Sequence, residues 1–95
     1  MNLLVRTDAS VAIGTGHAMR CLALAQAWQD AGGRAVFAMG ESTPALRNRL
    51  DAESCRILSV HSRPGTADDA DETVALTRQH DADWIVVDGY QFSAD

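Results

Sequence analysis

Between Arg6 and Arg20 the chain carries Asp8, Ser10, Gly14, Gly16 and His17, an acid, a hydroxyl, two glycines and an imidazole flanked by two guanidiniums. A short apolar stretch precedes this run and a helical pattern follows it. The carboxyl end of a strand and the start of a helix are where open α/β sheets present ligands. A helix N-terminus also offers free N–H groups to an anion, and it favours a neutral imidazole that could take a proton. His17 is therefore the candidate base. Arg20, one turn further on, could reach a phosphate or a sugar hydroxyl. Asp8 could orient His17, bind a hydroxyl or cap the loop. Gly14 and Gly16 would let a ligand come close to the backbone.

The elements that must position these residues follow from hydrophobic periodicity. A buried strand is predicted over residues 3–6. A helix over 17–31 presents Cys21, Leu24, Ala25, Trp28 and Ala31 at helical spacing, and Gly32-Gly33 stops it. A second strand covers 34–39. Ser42-Thr43-Pro44 then offers a cap and a first-turn proline for a helix reaching about Glu53. A third strand spans 55–60, and Pro64-Gly65 marks a loop. The third helix is predicted over 67–80, with Val74, Leu76 and Thr77 facing partly inward. Its acidic start, Asp68-Asp69-Ala70-Asp71-Glu72, reads as a solvated first turn favoured by the helix dipole. The continuous apolar run over 84–88, ending in Asp88, reads as a strand covered on both faces.

This alternation predicts an α/β fold, a Rossmann-like parallel sheet with right-handed crossovers. In the strand order 3-2-1-4 the first and fourth strands are neighbours. The loop of Asp8, Gly14 and Gly16 then lies beside Asp88-Gly89-Tyr90, where Asp88 could bind a ligand or hold the Asp8 loop and Tyr90 could contact a ligand. Gly14-Thr15-Gly16 is not a dinucleotide fingerprint, because Met19 stands where a third small residue is needed. A P-loop fails for want of a Gly-Lys-Ser/Thr ending.

Ninety-five residues suit one small domain. The net charge of −5 argues against a nucleic-acid face. All eight basic residues are arginine, in an alanine-rich chain, a bias of composition and not of function. No apolar run reaches the ~18 residues of a membrane span, and no secretory signal opens the chain. The expectation is a cytoplasmic protein that touches no membrane. Cys21 and Cys55 read as buried free thiols, and no metal-ligand spacing occurs among His17, His61 and His80. Only residues 89–95 follow the last strand, whereas doubly wound sheets usually continue; the expectation is an N-terminal fragment.

The residues Arg6-x-Asp8-x-Ser10-x-x-Ile13-Gly14-x-Gly16-His17-x-x-Arg20-Cys21-Leu22-x-Leu24-Ala25 resemble the N-terminal signature of the UDP-sugar hydrolases of pseudaminic acid synthesis. Related spore-coat polysaccharide proteins share it. Asp83-Trp84-Ile85-Val86-Val87-Asp88-Gly89-Tyr90 is similar to the second signature of that family, with Gly89 where relatives carry histidine. Met39-Gly40-Glu41 also lacks an arginine common after the second strand. The resemblance spans nearly the whole chain. It implies the N-terminal half of a two-domain GT-B-type fold, with a C-terminal domain of the same chain supplying most of the nucleotide site. The implied substrate is UDP-2,4-diacetamido-2,4,6-trideoxy-β-L-altropyranose, hydrolysed at the anomeric carbon with inversion and without a metal or other cofactor. His17 would activate the water, and Asp8, Ser10, Gly14, Gly16, Arg20, Asp88 and Tyr90 would contact substrate. The alternatives are a GT-B glycosyltransferase using a UDP-sugar donor, or a non-catalytic sugar-binding module.

Overall fold

The structure is a computed structural model that describes residues 1–9, 16–62 and 66–88. Its elements run β1 (Asn2–Thr7), α1 (Gly16–Asp30), β2 (Arg34–Met39), α2 (Pro44–Ala52), β3 (Arg56–Ser59), α3 (Ala67–Gln79) and β4 (Trp84–Asp88). These agree with the sequence expectation to within a residue or two at each end. The strands form one parallel sheet in the order β3-β2-β1-β4. The expected α/β class and strand order are therefore both present.

Local chemistry sets the helix boundaries. The Thr43 hydroxyl accepts the Leu46 N–H at 3.2 Å and Pro44 opens α2. Thr66 does the same for Asp69 at the head of α3, also at 3.2 Å. Gly32 follows α1 at φ +92°, a left-handed turn that glycine adopts without a Cβ penalty. Gly33 is required for another reason: a Cβ there would run into the Trp28 indole and lie 2.9 Å from the Met1 carbonyl.

The two faces of the sheet are unlike. Leu3 and Val5 of β1 point to the α1–α2 side, where they join Ala18, Cys21, Leu22, Ala25, Phe37, Met39, Leu46 and Leu50 in the larger core. Cys21 and Cys55 are buried there and are not joined in a disulfide. Leu4 points to the other side, into a smaller cluster with Ala38, Leu58 and Val60, flanked by Val36, Leu76 and Ala82. Arg6, next on that face, is 1% exposed. Its Nε and Nη2 donate to the two carboxylate oxygens of Asp69 on α3 at 2.9 and 3.0 Å, and its Nη1 donates to Asp8 at 2.7 Å. Thr73, one turn beyond Asp69, donates its hydroxyl to the same carboxylate at 3.2 Å.

Three expectations need correction. The acidic start of α3 is not uniformly solvated, because Asp69 is buried as the partner of Arg6. Of the α3 residues expected inward, Thr77 is buried and Leu76 packs on the smaller cluster, but Val74 is exposed and Asp69 and Thr73 take the inward face with Thr77. Leu24 of α1 and Ala31 just after it also face outward. Finally, β4 is not covered on both faces. It forms an edge of the sheet, with Trp84, Ile85 and Val87 at 58%, 46% and 53% exposure and only Val86 packed on the larger core.

Breaking a buried ion pair strands a charge, which costs about 3–5 kcal/mol. Asp69→Ala is accordingly expected to lower the unfolding free energy by about that amount in urea titration. A change below about 1 kcal/mol, the value of a surface pair, would contradict this account of α3.

Glu72 ties the chain after β3 to α3. Its carboxylate accepts the His61 N–H at 2.9 Å, the Ser62 hydroxyl at 2.7 Å and the Ser62 N–H at 2.9 Å. The His61 N–H first, and then the Ser62 hydroxyl, hold this carboxyl below the usual carboxylate value. A lowered folded-state pKa contributes stability that is full above the unfolded value of ~4.3 and fades as the pH falls through the folded one. The melting temperature of Glu72→Gln should therefore lie slightly below that of the parent at neutral pH and converge on it in acid. An offset independent of pH would show that the carboxylate charge plays no part.

Candidate functional site

The site is built where β1 and β4 end together. The parallel register pairs Leu3 with Trp84 and continues to Thr7 opposite Asp88, so the backbones carrying Asp8 and Asp88 emerge side by side. Ser10, Gly14 and Tyr90 lie outside the described residues, as does the side chain of Asp88. Gly16 opens α1 with an exposed backbone, and a Cβ there would meet nothing within 4 Å. Neither a crowded neighbour nor a left-handed φ therefore demands glycine at this position.

Asp8 is 2% exposed. One of its oxygens, Oδ1, accepts from Arg6 Nη1 at 2.7 Å, from the Gly40 N–H at 2.7 Å and from the Glu41 N–H at 3.1 Å. The Ala9 N–H returns a bond to the Glu41 carbonyl at 3.0 Å. Of the roles open to Asp8, capping is the one these bonds display: it joins the end of β1 to the turn after β2. Arg6 fixes Asp8 in turn. Burial alone would lower the guanidinium pKa, but its bonds to Asp69 and Asp8 outweigh that and leave it above the ordinary arginine value.

His17 is half-buried in the first turn of α1, with Arg20 exposed one turn on. The Arg20 Nη2 lies 2.6 Å from His17 Nδ1. A guanidinium has donors and no acceptor, so Nδ1 must supply the lone pair and the hydrogen of the neutral ring sits on Nε2. In this arrangement Nε2 is a donor, and the basic nitrogen is the one that Arg20 holds.

The structure thus brings together His17 with Arg20, Asp8 with the Gly40–Glu41 turn, and the ends of β1 and β4. Sequence reasoning missed Asp69, Gly40 and Glu41 as supports. A charged residue in an interior strand demands a buried partner, and neighbouring parallel strands must bring the residues after Met39 next to those after Thr7. Both signals were present in the sequence. Among the described residues, no group of three or more His, Cys, Asp or Glu side chains is arranged to hold a metal ion. Nor is any helix among the described residues long and apolar enough to cross a membrane. Compared with known proteins, the chain has no significant match to a protein-family model, a curated protein or a solved structure.

The tautomer is testable. Long-range 1H–15N correlation spectra should give the neutral His17 ring as the Nε2–H form, and Arg20→Ala should raise the Nδ1–H form. A parent ring protonated at Nδ1 when neutral would exclude the Arg20 bond in solution.

Proposed function

We propose that the chain is the sugar-binding, catalytic half of a GT-B-type UDP-sugar hydrolase. Its reaction would cleave a UDP-linked diacetamido-trideoxy sugar at the anomeric carbon with inversion, for nonulosonic acid synthesis. The observation that carries this reading is the pairing of Thr7 with Asp88. It joins, at one end of the sheet, the two segments that resemble the signatures of the family. A companion domain would hold most of the nucleotide, leaving the first turn of α1 to meet the sugar and the phosphate nearest it.

The chemistry asked of His17 is a single displacement. Water attacks the anomeric carbon, the bond to the diphosphate oxygen breaks with its electron pair on UDP, and the water proton passes to the imidazole. One displacement inverts the anomeric centre and needs no covalent nucleophile. The bond from Arg20 gives this step a trigger. A phosphate arriving at the head of α1 competes for the guanidinium, and its departure from Nδ1 frees a basic nitrogen when substrate is present. Asp8 contributes by fixing the end of β1, and Ser10 and Gly14 are assigned to substrate contact. Gly16, Asp88 and Tyr90 are assigned to the sugar side of the cleft.

Full-length protein given the UDP-sugar alone should release UDP, with the inverted anomer of the sugar first to appear by NMR. Replacing His17 with alanine should lower kcat by about 10²–10⁴-fold, the usual contribution of a general base, without loss of the folded melting transition. Release of UDP only after an acceptor sugar is added would make the protein a transferase. Unchanged turnover in the His17→Ala variant would remove the histidine from the mechanism.

A further inference from the structure

At the opposite end of the strands, the amino end, the molecule has a cavity of about 460 Å³. Arg34 and Arg56 border it together with His80 after α3, and Val36 and Ala82, both flanking the smaller cluster, contribute apolar wall. The register places Val36 opposite Arg56. Residues two apart in a strand share a face, so Arg34 lies on the same side of the sheet as Arg56, one diagonal step away. Strand spacing and rise put their Cα atoms about 8 Å apart, close enough for both guanidiniums to close on one ligand group.

The charge of this cavity runs against that of the chain. The protein carries 13 acidic residues against eight basic ones, yet no carboxylate residue is among those lining the cavity. Neither guanidinium has an ion pair or hydrogen bond among the described residues. Two of the nearby acids are engaged elsewhere: Asp83 accepts the Asn2 N–H at 2.8 Å, and Glu53 pairs with Arg49 at 3.6 Å. A concave site lined by one sign of charge focuses its field on the opposite one.

We infer that this cavity binds a small organic phosphate, held by Arg34 and Arg56 with its carbon body against Val36 and Ala82. Arginine forks match phosphate and carboxylate oxygens alike. Two guanidiniums suit the ~1.5–2 negative charges of a phosphate monoester better than the single charge of a carboxylate. The volume lies in the range of small-molecule sites, roughly 300–1,000 Å³, and leaves room for a sugar-sized body beyond the phosphate. The site is remote from Thr7 and Asp88 along the strands, so it stands or falls independently of the hydrolase reading.

The test is amide NMR titration of the protein with ribose 5-phosphate, ribose, inorganic phosphate and malate, at constant ionic strength. Ribose 5-phosphate should give saturable shifts at Val36, Ser54 and Ala82, with ribose inert and with inorganic phosphate and malate weaker. Arg34→Gln and Arg56→Gln alter exposed side chains, and circular dichroism should find them folded. Each should weaken ribose 5-phosphate by about tenfold or more, the worth of a charge-assisted hydrogen bond. Absence of saturable shifts up to about 10 mM, a Kd too weak for a built site, would overturn the proposal. So would equal binding of inorganic phosphate or malate, or indifference to both substitutions.

Discussion

The guanidinium of Arg6 is the interaction on which the arrangement depends. It sits in a central strand, almost wholly buried, on a face where an aliphatic side chain would otherwise be expected. A charge in that position is tolerated only when its donors are met. Asp69 meets two of them from α3 and Asp8 meets a third from the end of β1. One side chain therefore fixes the approach of a helix to the sheet and the exit of a strand from it. Removing any partner would leave a buried charge exposed to the penalty that the others now offset.

The lock also explains the imbalance between the two layers. On the α1–α2 side, large apolar side chains interdigitate and area alone holds the helices. On the α3 side the apolar cluster is small, and α3 turns Asp69, Thr73 and Thr77 inward. Apolar contact is non-directional, whereas a two-pronged carboxylate–guanidinium pair fixes distance and orientation. The position of α3 is set by geometry more than by buried area. Asp8 transmits the same constraint to Gly40 and Glu41, tying the end of β1 to the turn after β2.

Much of this was legible in the sequence. Apolar runs of strand length alternating with helical spacing dictate the element order, and the order 3-2-1-4, one of the two common in doubly wound sheets, is the one observed. That order alone brings Asp88 beside the loop after Thr7. What was not legible has a common physical cause: burial depends on what lies across from a residue. The run from Trp84 to Val87 has the composition of a covered strand, but it forms an edge. Asp69 has the composition of a solvated helix start, but it faces Arg6. Local pattern marks Arg6 as needing a partner without selecting one from 13 acids. The spacing of His17 and Arg20 did make them neighbours on one helix face; the consequence for the ring tautomer needs the atoms.

The two arginines of the opening run differ in what they can do, and the difference follows from burial. Arg6 cannot take part in any exchange of partners, since its release would strand Asp8 and Asp69 inside the protein. Arg20 is exposed, and its link to His17 spans a single helical turn. Such surface contacts are worth a fraction of a kcal/mol, about 0.2–1 in measured pairs, so a ligand with a full negative charge can compete with this one. Chemistry at His17 would then need both kinds of arginine. The buried one holds the end of β1 in place, and the exposed one stands where an arriving anion can compete with the imidazole for its guanidinium.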